Sequence, residues 1–132
     1  MKLGDFATVT RSYSKTDIGG YCALAGLDVS NLDYVPEPLI SGLFSYLLGV
    51  KLPGFGTNYL KQELDFSSRV GLGEELTARV EVTRIRPEKN LVDLSTTCTD
   101  SQGNEICAGR ALVLVKDVGH SVKNKKEMAG AE

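Results

Sequence analysis

From Pro38 to Gly49 the chain reads Pro-Leu-Ile-Ser-Gly-Leu-Phe-Ser-Tyr-Leu-Leu-Gly, an apolar helix-like run, and every regular segment that follows it alternates like a strand. One apolar helix feeding several strands admits few architectures, and the simplest is an α+β sheet wrapped around a central buried helix. Pro38 suits the first turn of such a helix, where its missing N–H would have no partner anyway. Leu39, Ile40, Leu43, Phe44, Leu47 and Leu48 cover more than one helical face, so the helix is expected to be surrounded by protein. A single sheet face falls short of covering it on this reading. A second layer is therefore expected, most cheaply a second copy of the chain in a homodimer.

The segments around the helix can be placed by their punctuation. Phe6 to Tyr13 carries Val, Thr and Tyr in loose alternation and predicts a first strand. Ser14-Lys-Thr-Asp17 is a capping signature for a short helix from Lys15 to about Ala25, with Ile18, Tyr21, Cys22 and Ala25 inward and Gly26 as its stop. Leu27 to Glu37 is polar and limited by Pro36 and Pro38, which predicts a loop. Beyond Gly54 and Gly56, Asn58 to Phe66 reads as a strand with Leu60, Leu64 and Phe66 on one side. Leu76, Ala78, Val80 and Val82 alternate with polar residues in the next. Turns at Pro87 to Asn90 and Ser101 to Asn104 divide off strands over Leu91 to Thr99 and Glu105 to Val115, which predicts an antiparallel meander.

The composition bounds the functional classes. At 132 residues and 42% hydrophobic content the chain fits one domain, expected over residues 1–117, with 118–132 read as a disordered tail that holds the sole histidine, His120. A formal charge of −2, with Lys123, Lys125 and Lys126 as the one basic cluster, argues against a nucleic-acid binder. No apolar run reaches membrane-spanning length and the first residues lack a signal-peptide pattern, so a cytoplasmic protein with no membrane partner is expected. Cys22, Cys98 and Cys107 have no metal-ligand spacing and read as small buried thiols, the last two on neighbouring strands. Neither a metal site nor a cofactor is expected.

The stretches Pro38-Leu-Ile-Ser-Gly42, Leu43-Phe-Ser-Tyr-Leu-Leu-Gly49, Leu52-Pro-Gly-Phe-Gly-Thr-Asn-Tyr59 and Val70-Gly-Leu-Gly-Glu74 occur in the order found in the MaoC-like (R)-specific enoyl-CoA hydratases. The chain from about Ser14 to Val115 resembles that family. The resemblance implies a hot-dog fold, a dimer, and an acyl thioester of coenzyme A or acyl carrier protein as the bound partner. In the family, hydration rests on Gly-Asp-x-Asn-Pro-x-His, whose aspartate and histidine handle a water molecule as base and acid. The corresponding place here reads Gly26-Leu-Asp28-Val-Ser-Asn31-Leu-Asp33, with no histidine. The resemblance thus implies Asp28 and Asn31 as the catalytic candidates of a degenerate motif.

For substrate binding the candidates are Ser41, Gly42 and Ser45. Gly42 either admits a thioester carbonyl to backbone N–H groups near the helix start or permits close packing against a strand; both readings stand. Ser41 and Ser45, one turn apart, either line the same face or bond back to the helix. The function implied is an acyl-thioester hydratase/dehydratase-like protein of fatty-acid metabolism. The alternatives are a hot-dog acyl-CoA thioesterase, with Asp28, Asp33 or Glu37 directing water, and a non-catalytic acyl-binding subunit. Glu37 has the simpler role of a charge that complements the helix dipole. Tyr46 and Tyr59 are expected in the core or at the dimer interface.

Overall fold

A computed structural model of the chain describes residues 1–28 and 32–119. Asn31, His120 and nearly all of the predicted tail lie outside the described residues. The elements in chain order are β1 (Phe6–Arg11), α1 (Lys15–Ala25), α2 (Glu37–Tyr46), β2 (Asn58–Phe66), β3 (Leu76–Arg86), β4 (Leu91–Thr99) and β5 (Glu105–Leu114). The five strands form one sheet in the order β1-β3-β4-β5-β2, with every neighbouring pair antiparallel.

Period-two patterning decides which sheet face is wet. Leu76, Ala78, Val80 and Val82 on β3 and Val92, Leu94, Thr96 and Cys98 on β4 are buried, while their sequence neighbours are half-exposed. Against this face lies α2, whose Ile40, Leu43 and Phe44 join Leu47 and Leu48 of the following wide turn, Leu47–Lys51. In that turn the Leu52 N–H donates to the Leu47 carbonyl five residues back at 2.8 Å. Each such fully buried side chain contributes roughly 1.5–3 kcal/mol.

Here the structure corrects the packing argument. Leu43, Phe44, Leu47 and Leu48 retain at most 5% exposure in a single chain. They therefore do not by themselves call for a second copy. Helix α2 packs against β3, and its Ile40, Leu43 and Phe44 join the one buried cluster that includes Leu76, Ala78, Val80 and Val82. Nor is α2 enclosed all round, since Gly42, Ser45 and Tyr46 face outward. Tyr46 and Tyr59 are 44% and 37% exposed, so neither is a core residue of the single chain.

The smaller expectations fare better. β1 stops at Arg11, short of Tyr13, and α2 starts one residue before Pro38. The bounds of α1, β2 and β4 are as predicted. Cys22, Cys98 and Cys107 are buried and unbonded, and Cys98 faces Cys107 across the β4–β5 ladder. None of the described helices is long and apolar enough to cross a membrane.

The β2–β5 junction is unusually close. A Cβ at Gly109 would collide with the Glu63 carbonyl oxygen, so only glycine lets the strands meet in this way. The Glu63 carbonyl takes the space that a side chain would need.

At the start of α1 the Ser14 Oγ accepts from the Asp17 N–H at 3.2 Å, and Asp17 accepts in return from the Ser14 N–H at 2.9 Å. The Ser14 N–H, and to a lesser degree the Ser14 hydroxyl, which donates to the same carboxylate oxygen at 3.1 Å, hold the Asp17 carboxyl below its ordinary range. A lowered native pKa means stabilisation that is complete above the unfolded value of 3.8 and is lost as pH falls below it. Ser14→Ala is expected to cost about 1 kcal/mol in urea unfolding at pH 7. That difference should shrink when the measurement is repeated below pH 3.8.

Candidate functional site

The loop before α2 fixes where the helix begins. The Val35 N–H donates to the Val70 carbonyl at 2.8 Å, Tyr34 bridges to Gly71, and the Arg69 guanidinium lies 4.3 Å from the centre of the Tyr34 ring. Val35 and Pro36 are buried by this docking. Pro36 ends the loop as the N-cap of α2 and offers no side-chain cap, which leaves Glu37 as the acidic residue of the first turn. Glu37 and Pro38 then stand between two depressions. One, of about 260 Å³, lies beneath the loop and includes Tyr34, Arg69 and Phe66.

The other is an open groove of about 530 Å³ between α2 and β2. Its helix side carries Glu37, Pro38, Ser41, Gly42 and Ser45; its strand side carries Gln62, Leu64 and Phe66. The volume is in the range of small-molecule sites, and the wall is apolar on one side with a few converging polar groups. Three of the five site residues read from the sequence thus come together. Asp28 does not join them: it follows the Gly26 cap of α1, is exposed, and lies outside the lining of both depressions. Asn31 lies outside the described residues.

Of the two readings of Gly42, close packing is excluded within the chain. Among the described residues, nothing outside its own helix stands within 4 Å of where its Cβ would be. It is the sixth residue of α2, beyond the N–H groups of the first turn, so it contributes room to the groove; since Pro36 and Pro38 carry no N–H, the first-turn donors are those of Glu37 and Leu39, the latter donating to the Pro36 carbonyl at 3.1 Å. On its far side Gly42 also borders a depression with Tyr13, whose hydroxyl donates to the Leu39 carbonyl at 3.2 Å. Burial holds the Tyr13 phenol above its usual range, so it remains a donor.

Gln62 was not singled out from the sequence. Its signal was there in the alternation of β2, where Leu60, Leu64 and Phe66 point to one side and the residue between them at the same period is polar. Its Nε2 donates to the Glu63 carbonyl at 3.0 Å, the Arg110 carbonyl at 3.0 Å and Thr96 Oγ1 at 3.2 Å.

The chain is 34% identical over 129 residues to the (R)-specific enoyl-CoA hydratase of Rhodospirillum rubrum, covering 87% of this chain and 88% of that protein. It is 32% identical over 127 residues to the (R)-specific enoyl-CoA hydratase of Aeromonas caviae, covering 86% and 94%. The chain belongs to the MaoC-like (R)-specific enoyl-CoA hydratase family. The solved (R)-hydratase from A. caviae involved in PHA biosynthesis superposes with a TM-score of 0.78 at 32% identity, covering 86% of this chain and 96% of that one. The fold is therefore the hot-dog fold of that family, and the family is one of acyl-thioester hydratases and dehydratases. No family model matches the chain.

Because Gly42 borders open space, Gly42→Ala is expected to leave packing intact and to raise stability by up to about 1 kcal/mol through helix propensity. A thermal or urea melt checks this. A loss of stability would mean that the space beside Gly42 is occupied in the native protein.

Proposed function

We propose that the protein binds an acyl thioester in the groove between α2 and β2 and carries out hydration or dehydration there slowly, with Glu37 as the working carboxylate. The observation that carries this reading is the grouping of Glu37, Ser41, Ser45 and Gln62 around one groove, in a chain that is similar to enoyl-CoA hydratases over most of its length. In hydration the carboxylate takes a proton from water as the water oxygen bonds to C3. The double-bond electrons move toward the thioester carbonyl, and C2 then takes the proton back from the Glu37 carboxylic acid, which restores the carboxylate. The motif is degenerate at its histidine, since the sequence holds one histidine, His120, far beyond Asn31. Loss of one member of an acid–base pair removes ~10²–10⁴ in rate, hence the slow turnover.

Asp28 and Asn31 are the competing catalytic pair carried by the family motif. Glu37 is favoured because it lines the groove, whereas Asp28 lies outside that lining. The ligand we propose is an acyl-CoA, with acyl carrier protein as the competing carrier that a binding assay distinguishes. The setting we propose is the cytoplasm, in keeping with three unbonded buried cysteines.

The test is incubation with crotonyl-CoA and saturated acyl-CoA, following double-bond absorbance and free thiol together. Absorbance loss without thiol release supports the reading. Thiol release would indicate a thioesterase, and tight binding without either change would indicate an acyl-binding subunit. Glu37→Gln should remove most of the turnover, while Asp28→Asn should leave most of it; the reverse result would return the chemistry to the loop after α1.

We further propose a homodimer joined along β2. In the single chain this nine-residue edge strand pairs only with β5 among the described strands, and it shows Leu60 53% exposed. Unpaired strand edges of this length invite a partner. Sedimentation at micromolar concentration should give a dimer, and Leu60→Asp should shift it to monomer.

A further inference from the structure

The amide of Gln62 is held by an arrangement that leaves one atom unused. Both hydrogens of Nε2 are committed among the Glu63 carbonyl, the Arg110 carbonyl and Thr96 Oγ1, all within 3.2 Å. Two of those partners are carbonyl oxygens, which only accept, so the amide cannot be turned over. Two further residues build this cradle. Gly109 leaves the space that the Glu63 carbonyl enters, and Thr96 is fully buried in an otherwise apolar row. The opposite atom, Gln62 Oε1, is buried and has no hydrogen-bond partner among the described residues. A buried acceptor left in that state costs about 1–3 kcal/mol, so its environment is incomplete without a donor.

We propose that Gln62 Oε1 accepts a hydrogen bond from the oxygen at C3 of the bound acyl chain, that is, from the water that adds there or from the 3-hydroxyl that leaves. This rests on the acyl-thioester reading given above and deepens it. The ligand must present a donor, because Oε1 can only accept. That excludes the thioester carbonyl and the double bond as its partner, and leaves an O–H near the reacting carbons or an amide N–H of the pantetheine arm. The O–H is favoured by the neighbours: Leu64 and Phe66 flank Gln62 on the same wall and suit the apolar acyl chain, and Glu37 faces the same groove. Gln62 thus tells a 3-hydroxyacyl chain from a saturated one, and Thr96 is a positioning residue that acts through Gln62.

The experiment compares dissociation constants for (R)-3-hydroxybutyryl-CoA and butyryl-CoA, which differ only in the hydroxyl. The wild-type protein should prefer the hydroxylated ligand about 3- to 10-fold, the worth of one net hydrogen bond. Gln62→Leu should abolish that preference while butyryl-CoA still binds. Thr96→Val, which keeps the side-chain shape and loosens the amide, should reduce it and carries the test alone if Gln62→Leu does not fold. A preference unchanged in the variants overturns the proposal, and so does an equal loss for both ligands, which would assign Oε1 to the pantetheine amide. Wild-type protein that binds neither thioester refutes the acyl-thioester reading and this proposal with it.

Discussion

Phe44 is fully buried where α2 packs on β3, and with Ile40, Leu47 and Leu48 it supplies the apolar surface that holds the helix to the sheet. A ten-residue helix is marginal on its own in water, so α2 exists because this contact exists. Its position in turn sets the groove, because the residues on its opposite flank, Ser41 and Ser45, are placed by the same rotation that buries Leu43 and Phe44. A helix of 3.6 residues per turn cannot move one face without moving the other. The loop from Tyr34 to Pro36 completes the constraint by fixing the helix start against Val70 and Gly71.

The division of labour between wall and lining follows from this. The core face of the sheet is apolar, whereas the polar groups of the groove sit at its margin, on the edge strand and on the outward flank of the helix. Gln62 lies at that margin. It is fixed from behind by backbone carbonyls of two strands, so its direction is set by the sheet and not by its own rotamer preference. Groups held in this manner lose little further freedom on meeting a ligand.

Much of the fold was legible because local chemistry and final structure agree. Ser14 with Asp17 and Gly26 bounds α1 by hydrogen bonds made within a few residues, and the alternation of β4 is the same signal that its burial pattern repeats. What was not legible is nonlocal. That β2 lies beside β5, and not beside β3, depends on which edge remains after the meander forms, and nothing within Asn58–Phe66 states it. Nor does the alternation of β3 state how much of α2 the sheet covers, because that depends on how the two elements pack together. At the site, Ser41, Gly42 and Ser45 were readable from helical spacing. Gln62 was hidden because a lone glutamine in a strand looks like a surface residue until Gly109 and Thr96, both distant in sequence, are seen beside it.

The three cysteines offer the molecule an internal clock of its own opening. Cys22 lies in α1, Cys98 in β4 and Cys107 in β5, and none retains any exposure. A thiol reagent reaches each one only when the element that covers it lets go, so the rate of alkylation measures the free energy of that event. Helix α1 is capped at both ends but belongs to no sheet ladder, whereas β4 is central and β5 is paired on both edges. Cys22 should therefore label through local detachment of α1, ahead of the facing pair, whose labelling requires the sheet itself to part. The spread between the two rates reads how independently the first helix breathes above the sheet.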